Sequence, residues 1–560
     1  MALLHRFLVD YDMAMLRALA QNRGIALSTN HQPEAVDQLA AALLDPLSVR
    51  TALAHLSPLA RTALDALLAS GGRMRTSRFG RRFGSARPLG PGRLQRESPW
   101  QKPANPTEEL WYAGLIFRGF DQDESGPDEF FFIPDDLFPL LPPPRSSPAP
   151  FAVEQVAGPP AEEKDGPALV HDLFIYLVYV QNHDVRPYAD GRLGRTDREG
   201  LRVRLIDPGE RRMTFLRHLA DRLGWITKQE GHLRLSATPV KRWLTASPGR
   251  QLTVLQETWR DDPHWIDLCH VPSLQCDQKT PWLRRYDPVS VRRALLDRLA
   301  QCPADSWWTL ASFVAAVKEH DPDFQRPDGD YTGWYIRDIA SGTYLSGFET
   351  WDRVEGALIA DLLTTTLRWL GIVAVSSGPS GPIIQLTEAG KRFLGLALGQ
   401  DETPPSLPLI IRPDLSLELP TPVNLYVRFQ LERFAELESE TPCRYRLTGR
   451  GVSRALSRDV RLEQVLTFLQ QASHAPVPPA VEEQLRLWAR RLGQVRLEEA
   501  VVLRVRDQEL LQELATLPET CPFIQEILSP TTALVRKQDL SHLQKELRAL
   551  GYLPSSPTHK

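Results

Sequence analysis

Three stretches of the chain repeat the same order of hydrophobic and polar positions. They are WYAGLIFRGF with the later EFFFIPDDLFPLL, DRLGWITKQEGHLRLSATPVKRWL and RWLGIVAVSSGPSGPIIQLTEAGKRFL. In each, an apolar helix end meets a glycine, and a β-rich run, a polar turn and an alternating strand follow. Gly114, Gly224 and Gly371 stand where a helix C-cap needs a left-handed residue. The pattern therefore predicts three β-hairpins, each entered from a helix.

Turn and capping residues mark the ends of these predicted elements. Glu230-Gly231 and residues 376–381 suit hairpin turns. Each alternating strand leads toward a new helix, which a Ser or Thr can cap. The residues at these exits are Pro134, Thr238 (or Ser236) and Thr387. A fourth, partial copy, RYRLTGRGVSRAL at 444–456, keeps only the strand and the Thr448 cap.

Helical segments lie upstream of every predicted hairpin. They are residues 56–69, 168–180, 212–223, 290–300, 309–320 and 354–370. Helices followed by a β-hairpin are the plan of a winged helix, in which the hairpin is the wing. The alternative is a generic α+β arrangement with incidental hairpins. We favour the winged-helix interpretation.

The final block of the chain has a different pattern. Residues 409–419 alternate as a strand, and residues 423–437, 462–472 and 479–492 have the periodicity of amphipathic helices. A strand, a helix, a strand and a helix are then predicted at 494–505, 510–517, 531–535 and 539–550. This ending indicates a small α+β layer.

Stretches rich in Pro, Gly and polar residues divide the chain. Residues 141–166, with PPPRSSPAP and AGPPAEEKDGP, predict an interdomain linker without regular structure. Residues 400–408 form another break, and 554–560 form a tail. The predicted domains are 1–140, 167–250, 251–400 and 409–553. The predicted fold class is mainly α with small β-hairpins (α+β): tandem winged-helix-like units followed by a C-terminal α+β module.

Composition is that of an ordinary globular protein. The 560 residues are too many for one core, and 42% of them are hydrophobic and 24% charged. Five cysteines are an odd and sparse set, unlike a disulfide framework. The first 30 residues lack signal-peptide features, and no apolar run is long enough to span a bilayer. We therefore expect a cytoplasmic protein without membrane contact.

The last block resembles a known family. The segments LIIRPDLSLELPTPVNLYVRFQLERFAELES, YRLTGRGVSRAL, SHAPVPP and SPTTALVRKQDLSHLQKELRALGYLP are similar to the DNA-binding module of XPB-type helicases. In many bacterial chains this module stands alone, as a helicase-associated or XPB-like N-terminal domain protein. The resemblance covers residues 409–553, and the preceding repeats resemble, more loosely, the winged-helix units that accompany the module. It implies nucleic-acid binding and brings no catalytic residues with it.

The missing motor is the main departure from that family. A helicase needs a G-x-x-x-x-G-K-[S/T] phosphate loop and an acidic metal-binding motif after a strand. The nearest candidate, Gly390-Lys391, is followed by Arg392 and has Gln385 in place of the first glycine. We therefore expect no ATP-driven unwinding, no other enzymatic activity and no cofactor.

Two other groups of residues could bind a metal ion but match no standard pattern. His264, Cys269, His270 and Cys276 contain no C-x-x-C pair. Residues 121–126 copy the first half of a calcium loop, but Phe132 stands where a bidentate Glu is needed. We expect no metal site in either group.

The net charge of −3 means that nucleic-acid contact requires local basic patches. Residues 73–102, the Arg-rich segment, contain nine basic residues against one acid, Glu97. Arg forks suit phosphate oxygens, aromatic rings can stack on unpaired bases, and nearby Gly and Pro would let the segment mould to a groove. The predicted contacts are Arg73, Arg75, Arg78, Arg81, Arg82, Arg87, Arg93, Arg96, Trp100 and Lys102.

A second, weaker patch lies between residues 186 and 217, where nine arginines stand against five acids. Its predicted contacts are Arg192, Arg195, Arg211 and Arg212. For both patches the alternative is that the arginines coat the acidic surface of a neighbouring domain or stay solvated.

The first predicted wing loop, residues 121–129, holds five acids and no base. A wing that grips phosphates should be basic, so this wing is expected to face away from nucleic acid or to meet a basic protein partner. We favour a non-catalytic nucleic-acid-binding accessory protein, with DNA as the expected polymer. The alternative is a protein-interaction adaptor for a helicase, transcription or repair partner, without direct DNA contact. Burial of the Arg-rich segment in pairs with carboxylates of another block would favour the adaptor.

Overall fold

The structure, a computed structural model, describes residues 3–123, 126–144, 150–158, 166–189, 191–277, 280–399, 407–491 and 500–555. The chain divides into two compact units, Met1–Pro405 and Ser406–Lys560. Helices and small antiparallel sheets alternate through both units, which confirms a mixed α+β fold. The predicted blocks 1–140, 167–250 and 251–400 all lie within the first unit.

Residues 3–144 pack helices around an antiparallel sheet with strand order β1-β3-β2. Side chains of Asp12, Asp45, Ser57 and Asn105 each accept a backbone N–H from the first turn of a helix, which fixes where these helices begin. The helices are α1 (Leu4–Val9), α2 (Met13–Asn22), α3 (Gln32–Leu43), α4 (Pro46–His55), α5 (Pro58–Ala69), α6 (Thr76–Phe83), α7 (Pro91–Glu97) and α8 (Pro106–Tyr112). The strands are β1 (Arg73–Arg75), β2 (Phe117–Asp123) and β3 (Gly126–Phe132).

The second part of the first unit surrounds the long, largely buried helix α9, whose apolar residues run through most of its length. A two-stranded hairpin follows two further helices. The elements are β4 (Gln155–Val156), α9 (Gly166–Asn182), α10 (Arg195–Arg202), α11 (Glu210–Arg222), β5 (Ile226–Gln229), β6 (His232–Leu235), α12 (Ala237–Leu244) and α13 (Pro248–Arg260).

The third part of the first unit contains two antiparallel sheets, with strand orders β11-β12-β8-β4 and β10-β9-β7. A π-helical stretch, Leu362–Thr366, joins two of its helices. The strands are β7 (Leu274–Cys276), β8 (Trp307–Thr309), β9 (Ile336–Asp338), β10 (Tyr344–Leu345), β11 (Val373–Gly378) and β12 (Gly381–Leu386). The helices are α14 (Pro288–Leu299), α15 (Leu310–His320), α16 (Trp351–Asp361), α17 (Leu367–Trp369) and α18 (Glu388–Phe393).

The second unit has a four-stranded sheet, β13-β14-β16-β15, and a three-stranded sheet, β17-β19-β18. Its strands are β13 (Ile410–Ile411), β14 (Ser416–Leu419), β15 (Ala435–Ser439), β16 (Cys443–Leu447), β17 (Ala500–Arg504), β18 (Ile524–Ser529) and β19 (Thr532–Arg536). Its helices are α19 (Leu425–Leu431), α20 (Gly449–Leu456), α21 (Leu462–Ser473), α22 (Pro479–Arg491), α23 (Gln508–Thr516) and α24 (Leu540–Ala549).

The three predicted hairpins are confirmed. Strands β2 and β3, β5 and β6, and β11 and β12 pair as antiparallel neighbours. Gly114, Gly224 and Gly371 have φ values of 64°, 65° and 63°, as a left-handed helix C-cap requires. At the β5–β6 turn, Glu230 and Gly231 both have positive φ, 50° and 83°, which matches the two-residue turn that the sequence predicts.

Part of the segment 141–166 has regular structure, so the prediction that it has none is wrong. Within it β4 pairs with β8, with Gln155 opposite Trp308 and Val156 opposite Trp307. The Glu154 carbonyl also accepts the Thr309 N–H at 3.0 Å. Side-chain composition marked the segment as a linker, but backbone groups can pair with a sheet edge whatever their side chains.

The predicted helix at 423–437 is also wrong in its second half. Helix α19 ends at Leu431, and residues 435–439 form β15, which pairs with β16. Ala435 and Leu437 alternate with Glu436 and Glu438, which is a strand period that the helical pattern of the preceding residues obscured. The fourth copy of the repeat therefore has a complete hairpin, and Thr448 caps α20 as predicted.

Three smaller differences concern strand and helix ends. Pro134 leads into a turn and the 3-10 stretch Phe138–Leu140 and not into an α-helix. Residues 409–419 form two strands because the chain turns at Leu415, which has a φ of 72°. Ser236 precedes α12 without a side-chain capping bond, whereas Thr387 accepts the Gly390 N–H at 2.9 Å. Of the predicted strand 494–505, residues 494–499 lie outside the described residues.

Candidate nucleic-acid interface

The first two arginines of the Arg-rich segment meet the acids of the first hairpin. Strand β1 pairs antiparallel with β3, which brings both arginines beside the hairpin. Arg73 Nη1 lies 2.8 Å from Asp121 Oδ2, and Arg75 Nη1 lies 3.0 Å from Asp128 Oδ2. The sequence predicts that the acidic wing faces away from nucleic acid or binds a basic protein partner. In the structure, Asp121 and Asp128 of this wing instead pair with arginines of the same chain.

Helix α6 uses two of its arginines to contact the predicted third block. Arg81 forms an ion pair with Asp323 and donates to the carbonyl oxygen of Gly329 at 3.3 Å. Arg78 donates to the carbonyl oxygen of His320 at 2.9 Å. The side chains of Arg81 and Asp323 are only 18% and 13% exposed, so Arg81 is not available to a phosphate group in this structure.

Arg87 is held by a buried carboxylate. Its Nε lies 2.7 Å from Oε1 of Glu108, whose side chain is 0% exposed. Burial raises the pKa of Glu108, but hydrogen bonds from the Arg87 side chain and from the Ala104 and Arg87 backbone outweigh it and lower that pKa. Arg87 therefore neutralises an internal charge.

The remaining predicted contacts of the Arg-rich segment differ in exposure. Arg93 pairs with Glu97 at 2.9 Å within α7. Trp100 is 9% exposed in the core around α2 and α3, so its prediction as a stacking residue is wrong in this structure. Arg82, Arg96 and Lys102 are exposed, and the described residues provide no carboxylate partner for them.

The expectation that residues 73–102 mould to a groove is also corrected. The segment contains β1, α6 and α7, and Phe79 and Phe83 anchor α6 in the core at 0% and 8% exposure. Its aromatic residues alternate with arginines because α6 has one apolar and one basic side.

The second patch is divided between the interior and the surface. Arg212 Nε lies 2.7 Å from Asp172 Oδ2, with side-chain exposures of 1% and 0%, so its prediction as a nucleic-acid contact is wrong in this structure. Arg211 Nη2 pairs with Asp361 at 2.6 Å.

The other two residues predicted there are exposed. Arg195 is 86% exposed and pairs with Glu199 at 2.8 Å along α10. Arg192 is also exposed. The arginines of this patch therefore differ in role: Arg212 and Arg211 form ion pairs within the first unit, whereas Arg192 and Arg195 lie at the surface.

A basic face that the sequence analysis missed lies on α20 in the second unit. Arg450 and Arg454 lie one turn apart on α20, and Arg458 follows four residues later, in the turn after the helix ends at Leu456. Residues 444–461 contain six arginines against one acid, Asp459. The spacing of these arginines at i, i+4 and i+8 is visible in the sequence. It was passed over because this short segment carries less net positive charge than residues 73–102.

Two arginines of the α20 face, Arg450 and Arg454, keep their charge outside any ion pair with the described residues. Arg450 is exposed, Arg454 is half-buried, and the described residues provide a carboxylate partner for neither. Burial lowers the pKa of Arg454, Glu436 and Glu432 oppose that shift, and the like charges of Arg458 and Arg450 add to it. A phosphate oxygen would relieve this repulsion, which is the chemistry that the face can supply.

The residues weighed for other chemistry have structural contacts. A Cβ at Gly390 would lie 1.9 Å from the Ile372 carbonyl oxygen, so glycine permits α18 to pack there. Lys391 Nζ lies 2.5 Å from Asp305 and 2.7 Å from Glu388. In the part of the chain that the structure describes, no three His, Cys, Asp or Glu side chains are arranged to hold a metal ion.

Comparison with known proteins adds a family relation for part of the chain. Residues 409–527 match the family described as "Helicase conserved C-terminal domain". No curated protein matches the chain. No helix among the described residues is long and apolar enough to cross a membrane. The matched residues include the basic α20 face, and through them the chain is helicase-related.

Proposed function

We propose that this chain is a non-catalytic nucleic-acid-binding accessory protein, with DNA as its polymer. The α20 face, defined by Arg450, Arg454 and Arg458, contacts the phosphate backbone. The observation that carries the proposal is that Arg450 and Arg454 have no carboxylate partner among the described residues and lie inside the segment that matches a helicase family. Arginines of this kind increase the affinity of a protein for nucleic acid, because each one that contacts a phosphate releases counterions from it.

The finer assignments of the sequence analysis belong to this proposal. The stretches in which a helix leads into a hairpin, at α8, α11 and α17, act as winged-helix-like units. Residues 409–553 act as an XPB-like helicase-associated module that works without motor domains. The absence of a phosphate-loop sequence around Gly390-Lys391 supports a role without ATP hydrolysis. Arg82, Arg96 and Lys102 supply additional, weaker backbone contacts.

The adaptor alternative gains support from one observation. Arg81 of the Arg-rich segment is paired with Asp323 of another predicted block, so the segment serves intramolecular packing in part. In the adaptor interpretation the exposed surfaces bind a helicase, transcription or repair protein, and the purified chain does not bind DNA.

A salt-series binding assay with double-stranded DNA tests the proposal. The variant Arg450→Gln/Arg454→Gln removes two charges and keeps most of each side-chain stem. We expect weaker binding to every sequence and a salt slope that is shallower by about 2, since each lost phosphate contact lowers the slope by about 1.

The matched control is Arg412→Gln/Arg444→Gln. It removes the same charge from the same unit, but each of these arginines lies 3.2 Å from Glu418. The control is expected to keep the wild-type slope. Equal affinity of wild type and the Arg450/Arg454 variant for DNA at every salt concentration would contradict the proposal. A wild-type chain that does not bind DNA but co-purifies with a defined protein would establish the adaptor function.

A further inference from the structure

The β10-β9-β7 sheet of the first unit has one buried face and one open face. Leu274, Ile336 and Leu345 are 3%, 0% and 2% exposed and cover the core. Because side chains alternate across a strand, Arg337 and Tyr344 lie on the opposite face, where the register pairs them directly.

Two tyrosines contribute aromatic side chains to the open face. Tyr335 and Tyr344 are 56% and 55% exposed, and Ile339, two residues after Arg337 along the chain, is 56% exposed. The two tyrosine rings are perpendicular, with centroids 6.1 Å apart. The two rings therefore present exposed π-surface in a fixed mutual orientation on this face.

Arg337 fixes one of these rings. Its guanidinium carbon lies 4.9 Å from the centroid of Tyr344, and its Nη2 donates to the Tyr344 hydroxyl at 3.0 Å. One side of the ring is thus covered by a cation, while more than half of the residue stays accessible. The arrangement orients the ring before any ligand arrives, which lowers the entropy cost of binding.

The charge of Arg337 has no carboxylate partner among the described residues. The nearest candidate along the strand, Asp338, is occupied: Arg353 Nη2 lies 2.6 Å from its Oδ2, and the Ser341 N–H and hydroxyl donate to its Oδ1 at 2.8 and 3.0 Å. The Ser341 backbone bond and the Arg353 contact lower the pKa of Asp338 to about 2. Asp338 therefore stays ionised and engaged, and Arg337 remains open to an external anion.

We propose that the open face formed by Tyr335, Arg337, Ile339 and Tyr344 is a stacking platform for the unpaired bases of a single-stranded nucleic acid. This inference rests on the proposed function and deepens it. The rings supply π-faces for bases, and Arg337 supplies a cation for the adjoining phosphate. A duplex keeps its bases within the stack, so the platform distinguishes single strands from double strands.

Anisotropy titrations of the full chain test this platform with three probes. The probes are an oligo-dT strand, an abasic strand of the same length, and a duplex. Wild type should bind oligo-dT about 5- to 100-fold more tightly than the abasic strand, since stacking of one base contributes on that scale. Tyr335→Ala/Tyr344→Ala should lose this preference and keep the wild-type affinity for the duplex.

Two further variants separate stacking from general damage. Tyr335→Phe/Tyr344→Phe keeps both rings and should keep the preference for oligo-dT. Tyr188→Ala removes an equally exposed tyrosine elsewhere, at 58% exposure, and should bind as wild type. Thermal unfolding of each variant shows whether the fold is retained.

The inference is overturned if wild type does not distinguish oligo-dT from the abasic strand, or if the alanine variant binds oligo-dT as tightly as wild type. In either case duplex binding that depends on Arg450 and Arg454 leaves the proposed function standing. Loss of a co-purifying protein in the alanine variant, with oligo-dT binding unchanged, assigns the face to a protein partner instead. A wild-type chain that binds none of the three probes overturns both proposals.

Discussion

Arg212, Arg292 and Arg326 lie in the interior of the first unit at 1%, 1% and 1% exposure. Each pairs with a carboxylate, at 2.7 Å, 2.7 Å and 2.6 Å. Removing one partner of such a pair leaves a buried charge and costs about 3–5 kcal/mol. These arginines therefore support folding, and counts of positive charge along the sequence overestimate the cations that are available at the surface.

His270 illustrates how packing of one residue produces a pH dependence. Its ring stacks on Trp265 with centroids 3.7 Å apart. Burial lowers the pKa of His270 from 6.5 to about 4, Asp267 opposes this shift, and the nearby Arg211 and His218 side chains add to it. Between these two pKa values the unfolded chain binds a proton at this ring that the folded chain does not bind.

We therefore expect the free energy of unfolding to decrease as the pH falls from 6.5 to 4. In His270→Phe the aromatic contact with Trp265 is kept and the titrating group is gone, so the decrease should be smaller. Urea unfolding curves at pH 8, 6, 5 and 4 measure the difference. Wild type and variant should be similar at pH 8, and identical slopes below pH 6.5 would contradict the assignment.

At the scale of elements, hairpins and capped helices follow from short stretches of sequence. A glycine after an apolar helix end and a turn between alternating strands locate β5–β6 and β11–β12. Close packing between elements also restricts which residue can occupy a position, and this restriction cannot be recognised from the neighbouring sequence. Gly390 is an example, because its place in α18 lies directly against the Ile372 carbonyl.

Gly390→Ala is expected to destabilise the first unit by about 1–3 kcal/mol, because the added methyl group overlaps the Ile372 carbonyl oxygen and α18 must shift. The measurement is a lower midpoint in thermal or urea unfolding. The control is Gly92→Ala in α7, where the added Cβ meets no atom within 4 Å. That variant should be unchanged or slightly more stable, by about 0.5–1 kcal/mol, since alanine favours helix over glycine. Equal losses in both variants would contradict the packing argument.

At the scale of the whole first unit, the Arg-rich segment connects parts of the chain that are far apart in sequence. Arg81 and Asp323 are 242 positions apart. Arg81 also lies over the ring of Tyr331, 5.1 Å from its centroid. The composition of the Arg-rich segment predicts a nucleic-acid-binding surface, but in the structure part of this segment contacts other residues of the first unit.

A double-mutant cycle on Arg81→Ala and Asp323→Asn measures this contact. We expect a coupling energy of about 0.5–3 kcal/mol in urea unfolding, because the pair is shielded from solvent. The comparison cycle uses the exposed pair Arg93 and Glu97, at 61% and 38% exposure, where about 0.3–0.5 kcal/mol is expected. Coupling at Arg81 no larger than in the comparison pair would show that the contact contributes little to the fold.

For the candidate site, the sequence predicts where arginines are dense but does not predict which of them are exposed and unpaired. The density of arginine at residues 73–102 is evident from the sequence, yet Asp121, Asp128, Glu108 and Asp323 meet these residues only after folding. The α20 row has fewer arginines, and two of them stay without a carboxylate partner among the described residues. Pairing across long sequence distances decides which cations reach solvent, and no local pattern encodes it.

The sequence by itself determined the three hairpins, the α+β class and the helices that lead into those hairpins, and it showed the resemblance of the last block to helicases. The hairpins and these helices depend on periodicity, turn residues and capping, which act over a few residues. Tertiary structure alone decided that residues 155–156 join a sheet, that Trp100 and Arg212 are buried, and that Tyr335 and Tyr344 share an open face. Each of these outcomes depends on which distant groups come within a few ångströms, and burial and electrostatic pairing act at that range.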